Sequence, residues 1–222
     1  MEYNVKVVKF ANGKTQVRIY NLPIIKDDEI NRLISKKANK TKIINKDRFR
    51  SESEIEHSIA VSKNRTIQNI FAIARSNNWD WFCTFTFDPK RVNRQNYDNC
   101  YSCLYSWLKS IKKKYTDIKY LIVPELHSDG FSWHFHGLFS NCPDSMFTFK
   151  HRNYKNEEIY NINGFEYYGL VNSATKIVDS NKSAMYIAKY IKKDLVTKTL
   201  YKHRYLYSKN CNRPLVSELT RP

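Results

Sequence analysis

Glycine is scarce, with five in 222 residues, and no G-x-x-x-x-G-K-[ST] occurs. Phosphate-cradling P-loops and dinucleotide fingerprints need closely spaced glycines so that backbone can approach a pyrophosphate, and both are excluded. No run of 18 apolar residues exists, so no membrane span is expected. The opening Met1-Glu2-Tyr3-Asn4-Val5-Lys6 has no apolar stretch of the kind a signal peptide carries. The five cysteines, an odd number, are therefore expected as reduced thiols in a cytoplasm. Cys100-Tyr101-Ser102-Cys103 has no second pair and no nearby His at zinc spacing, and is read as helix packing. Acidic residues are also few: 21 Asp+Glu stand against 38 Lys+Arg, leaving +17. A domain this basic, with aromatics at 14%, pairs most simply with nucleic acid.

What is present reads as α+β. Val5–Phe10 and Thr15–Tyr20 alternate around Asn12-Gly13, which predicts a β-hairpin. Residues 26–64 are polar, with Lys36-Lys37-Ala38-Asn39-Lys40-Thr41-Lys42 at their centre, and read as a short helix and a loosely ordered basic segment. From Arg65 the spacing of Ile67, Ile70, Phe71 and Ala74 predicts a helix that stops at Asn77-Asn78. Trp81–Phe87 reads as a strand and 94–115 as a helix with the stripe Tyr97, Cys100, Tyr101, Leu104, Leu108 and Ile111. Strands follow at 120–126, 133–139 and 170–178, then a helix at 183–193 and a short strand at 203–207. The region between 140 and 170 reads as a loop rich in Asn, Tyr and Lys. The expected division is an N-terminal hairpin and basic extension over 1–64 and a second domain over 65–222.

His134-Phe135-His136 lies on a predicted strand, where residues two apart share a face. Closing the 120–126 and 133–139 hairpin on Asp129-Gly130 as a two-residue turn pairs residues whose numbers sum to 259. Glu125 then stands opposite His134 on the same face. Two imidazoles and one carboxylate suit Mn²⁺ or Mg²⁺, with positions left for water and substrate. His127 lies two residues from Glu125, beside the turn, as a spare ligand. The helix at 183–193 carries Tyr186 and Tyr190 at i and i+4, and Lys189 and Lys193 at i and i+4, so Tyr-x-x-Lys occurs twice, one turn apart. A phenol with a pKa near 10 is a poor nucleophile unless a metal-polarised phosphate and a cation assist it.

Phe82-Cys83-Thr84-Phe85-Thr86-Phe87, His134-Phe135-His136 and the run from Tyr186 to Lys193, in this order, resemble the HUH endonucleases. Within them the chain is most similar to rolling-circle replication initiators of microviruses and filamentous phages, over residues 65–214. The resemblance implies a five-stranded antiparallel sheet with flanking helices, RRM-like or ferredoxin-like in layout. It implies nicking and rejoining of single-stranded origin DNA through a 5′-phosphotyrosine, with Tyr186 and Tyr190 as nucleophiles and Lys189 and Lys193 assisting. His134, His136 and Glu125 would hold the cation. Arg65, Lys90 and Arg91 are taken as DNA-binding positions. A host helicase and polymerase are the expected partners, with host cytoplasm as the location for a viral chain. Two other readings stay open: a single-strand transposase of the same superfamily, and a non-catalytic RRM-like nucleic-acid-binding domain.

Overall fold

The computed structural model describes residues 2–11, 13–25, 51–190, 198–199 and 202–220. Lys193 and the basic run 36–42 lie outside the described residues. The chain divides into two compact units, residues 1–58 with 214–222, and residues 59–213.

In the first unit, β1 (Glu2–Lys9) pairs antiparallel with β2 (Thr15–Ile25), which gives the expected hairpin, with Lys9 opposite Thr15. A third strand, β10 (Leu215–Leu219), joins the free side of β1, with Val5 opposite Leu219 and Lys9 opposite Leu215. Local pattern does not announce this strand. Its five residues pair with a partner more than 200 residues away, and Lys6 reaches Glu218 at 3.5 Å across that pairing.

The division falls within helix α1 (Glu52–Arg75), which starts well before the expected Arg65. The start is a capping box. The Ser51 hydroxyl accepts the Glu54 N–H at 3.3 Å, and the Glu54 carboxylate accepts the Ser51 N–H at 2.9 Å. The signal is Ser51-Glu52-Ser53-Glu54, which lies inside a stretch whose polarity reads as a basic extension.

The second unit is built on a seven-stranded antiparallel sheet of order β6-β7-β8-β3-β5-β4-β9. Its strands are β3 (Trp81–Phe87), β4 (Lys119–Leu126), β5 (Trp133–Ser140), β6 (Phe147–Arg152), β7 (Glu158–Ile162), β8 (Gly169–Lys176) and β9 (Leu206–Tyr207). The expected count of five is corrected to seven. The two additional strands, β6 and β7, form a hairpin at one edge, and without them β8-β3-β5-β4-β9 remain. Phe147-Thr148-Phe149 and Glu158-Ile159-Tyr160-Asn161-Ile162 do alternate, and Asn156 takes φ 62° in the turn between them. The bulge between Phe149 and His151 interrupts that alternation.

Helix α2 (Tyr97–Lys114) covers one face of this sheet. Asn96 caps it, its side chain accepting the N–H groups of Asp98 and Asn99, and three lysines close its last turn. The buried stripe is Tyr97, Cys100, Leu104, Trp107 and Leu108. Trp107 joins the expected stripe, and Tyr101 and Ile111 pack against the same core partly buried. Its ring lies 5.3 Å from Phe85, which also meets Phe139 at 6.0 Å and Phe165 at 5.0 Å. Cys100 is fully buried in this layer, and burial pushes its thiol up to about 12, so it packs as a small apolar group. Gly137 lies where a Cβ would come within 2.7 Å of the Phe139 ring and 3.1 Å of Ile122, so a larger residue cannot follow His136 without displacing them. Helix α3 (Ser180–Ala188) is capped by the Asp179 side chain, which accepts from Asn181 and Lys182.

Phe85 has no exposed surface and sits among the rings of Trp107, Phe139 and Phe165. Phe85→Ala is expected to lower the unfolding free energy by about 3–5 kcal/mol, the usual cost of emptying a large aromatic site. Urea unfolding followed by tryptophan fluorescence checks this, since Trp107 reports from the same cluster.

Candidate metal and tyrosine site

The face of the sheet opposite α2 carries the polar cluster. In β3 the odd residues Cys83, Phe85 and Phe87 are fully buried, so Phe82 and Thr84 point the other way. In β5, His134 and His136 share that second face. The β4–β5 register has Glu125 opposite His134 and every pair summing to 259, from Lys119 with Ser140 to Leu126 with Trp133. The turn that fixes this register is longer than the expected two residues. His127 N–H donates to the Ser132 carbonyl at 2.8 Å, leaving 128–131 as the loop, with Gly130 at φ +75°. Asp129 accepts the N–H groups of Phe131 and Ser132, each at 2.8 Å. Hydrogen bonds from Ser132 and Phe131 hold its carboxyl well below the usual carboxylate range.

Glu125, His134 and His136 converge, with their ligand atoms within 4.8 Å of one another. His134 Nε2–H donates to Glu125 Oε2 at 2.8 Å, and His136 Nε2–H donates to the same oxygen at 2.9 Å. Burial alone would raise the Glu125 carboxyl. The hydrogen bonds from His136 and His134 outweigh it and bring the carboxyl down to about 2. Burial pushes the His134 imidazole below its ordinary value, against the raising effect of Glu125. The cluster therefore presents an ionised carboxylate and, at His134, a neutral imidazole at neutral pH, which are the forms a cation needs. Two nitrogens and one oxygen around one point could hold a divalent metal ion.

A fourth residue touches this cluster, and the sequence reading did not single it out. Thr84 pairs with His136 across β3 and β5, and its Oγ1 lies 3.2 Å from His136 Nδ1. A hydroxyl both donates and accepts, so Thr84 can serve either tautomer of His136. Were Nε2 to bind a cation, Nδ1 would carry the proton and Thr84 could accept its hydrogen bond and fix the ring. His127 stands outside the triad. Its ring is 5.6 Å from that of His134, and its Nδ1 meets the Ser128 hydroxyl at 3.2 Å.

Helix α3 brings the tyrosines to the same face. The Tyr190 ring stacks on His136 at 4.0 Å between centroids, with 15° between planes. Tyr186 stands edge-on to Tyr190 at 5.2 Å and meets Phe82 at 5.6 Å. Phe82 in turn lies 5.6 Å from His136, so Phe82, His136, Tyr190 and Tyr186 close a ring of aromatic contacts. The helix tightens at this point: Lys189 N–H bonds Tyr186 C=O and Tyr190 N–H bonds Ile187 C=O, three residues back. Burial, then the Tyr186 hydroxyl and the Glu125 charge, hold the Tyr190 phenol well above its ordinary value. Lys189 lines a cleft of about 730 Å³ with Tyr186, Lys176 and Lys182.

The three positions expected to bind DNA lie on other elements than this cluster. Arg65 is exposed on α1, and Lys90 is exposed in the loop after β3. Arg91 is partly engaged, donating to the Tyr167 carbonyl at 2.9 Å with its guanidinium 5.0 Å from the Tyr167 ring.

A family model described as a replication-associated protein, the ORF2 type, matches residues 80–195, just over half of the chain. The match runs from β3 through α3 and contains Thr84, Glu125, His134, His136, Tyr186 and Tyr190. No curated protein and no solved structure matches.

On the proposal that the cluster takes Mn²⁺ or Mg²⁺, Thr84→Val is expected to lower Mn²⁺ affinity about tenfold, the lower end for loss of a partner behind a ligand. Thr84→Ser, which keeps the hydroxyl, should bind as the parent does, and His136→Ala should not bind. Titration of Mn²⁺ followed by electron paramagnetic resonance reads this without any substrate.

Proposed function

Given that the chain belongs to this family of replication-associated proteins, we propose that it initiates replication by cutting and rejoining one strand of origin DNA through a tyrosine. The observation that carries this reading is the Tyr190 ring stacked at 4.0 Å on His136, itself one of three converging cation donors. A phenol, two imidazoles and a carboxylate in one cluster suit phosphoryl transfer to tyrosine better than passive binding. An RRM-like binding domain would use exposed aromatics on its central strands and would have no role for Glu125, His134 and His136 together.

Glu125, His134 and His136 would hold the divalent cation, whose chemistry is to polarise the scissile phosphate. The residues of the chain do the rest. Tyr190, or Tyr186, supplies the nucleophilic oxygen. That oxygen bonds to phosphorus, the bond from phosphorus to the 3′ oxygen breaks, and the departing oxygen takes up a proton. The products are a 5′-phosphotyrosine and a free 3′-hydroxyl. The reverse exchange, with a new 3′-hydroxyl attacking the adduct, rejoins the strand without ATP because the phosphodiester is conserved in the adduct. The Tyr190 phenol, held above its ordinary value, is protonated at rest and gives up its proton as its oxygen bonds to phosphorus, so one proton leaves the phenol for each one the 3′ oxygen takes up. Lys189 offers its charge beside Tyr186, and Lys193 is assigned the same part by its spacing from Tyr190.

The two phenols differ in setting. Tyr190 lies against the cation donors, whereas Tyr186 is 48% exposed on the flank. We assign the first cut to Tyr190 and the second transfer to Tyr186. A host helicase would expose the strand and a host polymerase would extend the 3′ end. Among the described residues no helix is long and apolar enough to cross a membrane.

With single-stranded origin DNA and Mn²⁺, the wild type should give a protein–DNA band that survives SDS, and EDTA should abolish it. Tyr190→Phe should lose first-strand cutting, and Tyr186→Phe should cut but fail to complete transfer. An adduct formed by the double variant would place the nucleophile elsewhere.

A further inference from the structure

A second cleft opens at the end of the β4–β5 hairpin, on the α2 side of the sheet and so on the face opposite the cation donors. It measures about 440 Å³ and is lined by Gln95, Tyr97, Phe131, Trp133, Lys198 and Lys202, among others. Trp133 immediately precedes His134, and Leu126 in the same wall immediately follows Glu125. Neighbouring residues of a strand face opposite sides, so Trp133 and Leu126 turn toward α2 while Glu125 and His134 turn toward the donor cluster.

Its chemistry is that of a nucleotide. Phe131 is 67% exposed at the tip of the loop, so its ring is open to contact from outside the chain. Lys198 stands 5.6 Å over that ring and donates to the Gly130 carbonyl at 2.5 Å. Lys202 stands 5.4 Å over Tyr97 and pairs with Asp98 at 2.7 Å. Two lysines against one carboxylate leave the mouth cationic. Behind it, the rings of Tyr97, Tyr101 and Tyr105 follow one another along α2 at 6.0 and 5.9 Å, with His203 parallel to Tyr101 at 5.3 Å. Aromatic rings that alternate with cations form the usual platform for a single strand: bases stack and phosphates meet the charges. The Gln95 amide can both donate to and accept from a base edge.

We propose that this cleft seats one nucleotide of the single-stranded substrate, with its base on Phe131 and its phosphates on Lys198 and Lys202. This rests on the reading of the chain as acting on a single strand, and it adds a subsite outside the metal and tyrosine cluster.

The test uses the full chain in EDTA, so that no cutting is needed for the readout. The probe is an oligothymidylate of about 15 nucleotides, a length one such surface can engage, carrying single 5-iodouracil substitutions. On irradiation, the cross-linked peptide should carry its adduct at Phe131. Phe131→Ala should lose the adduct and weaken binding about tenfold, as removal of one stacking ring does. Phe131→Tyr should restore both. Lys198→Ala and Lys202→Ala should each reduce the slope of log K against log salt by about 0.7, one phosphate contact apiece. The proposal is overturned if the adducts fall elsewhere and Phe131→Ala binds as the parent does, or if the salt slope is unchanged in the double lysine variant. Because Phe131 lies on the surface, its replacement leaves the core packing intact. Failure of the wild type to cut would bear on the nicking reading alone, since this assay reads binding.

Discussion

The two hydrogen bonds that Asp129 accepts across the β4–β5 loop are the constraint on which the site depends. Side chains alternate along a strand, so a slip of one residue in this hairpin would turn Glu125 away from both histidines. The loop holds the register, the register brings one carboxylate oxygen under two imidazoles, and that oxygen orients both rings. His136 is then flat enough against the end of α3 for Tyr190 to stack on it. Each step is local, yet together they join residues from β3, β4, β5 and the end of α3.

Much of this was legible in the sequence because it follows from short-range rules. The facing of His134 and His136 needs only the two-residue period of a strand. The partner of His134 needs only a turn at Asp129-Gly130, and the observed pairing keeps the expected sum even though the loop is longer than two residues. Thr84 was not legible in the same way. Its contact with His136 requires knowing that β3 lies beside β5, and in which register, across 52 residues of chain. Phe82 is hidden for the same reason. The strand β10 was missed because its short run of modest alternation carries no sign of a partner near residue 5. The helix start at Glu52, by contrast, was signalled by a capping box that the surrounding charge obscured.

The hairpin of β6 and β7 shows how an edge can grow without disturbing a centre. It adds its strands beyond β8 and leaves the pairing of β3 with β5 and of β5 with β4 intact. Its aromatics reach the first residue of β3: Phe147 stacks on Trp81 at 4.0 Å, and Tyr160 meets Trp81 at 5.0 Å. Lys176 lies over both the Trp81 and Tyr160 rings. The hairpin is thus anchored by contacts of its own and asks nothing of the metal and tyrosine cluster.

The pairing of β1 with β10 has a consequence for the order of events at the ribosome. A two-stranded hairpin alone is marginal in water, and β1 with β2 is such a hairpin until a third strand arrives. That strand is made only after the whole of residues 59–213 has been synthesised. The seven-stranded unit can complete its own pairings first, whereas the unit encoded earliest must wait with one edge of β1 open. During synthesis, then, of the two units the one whose strands begin earlier is the later to acquire its full sheet.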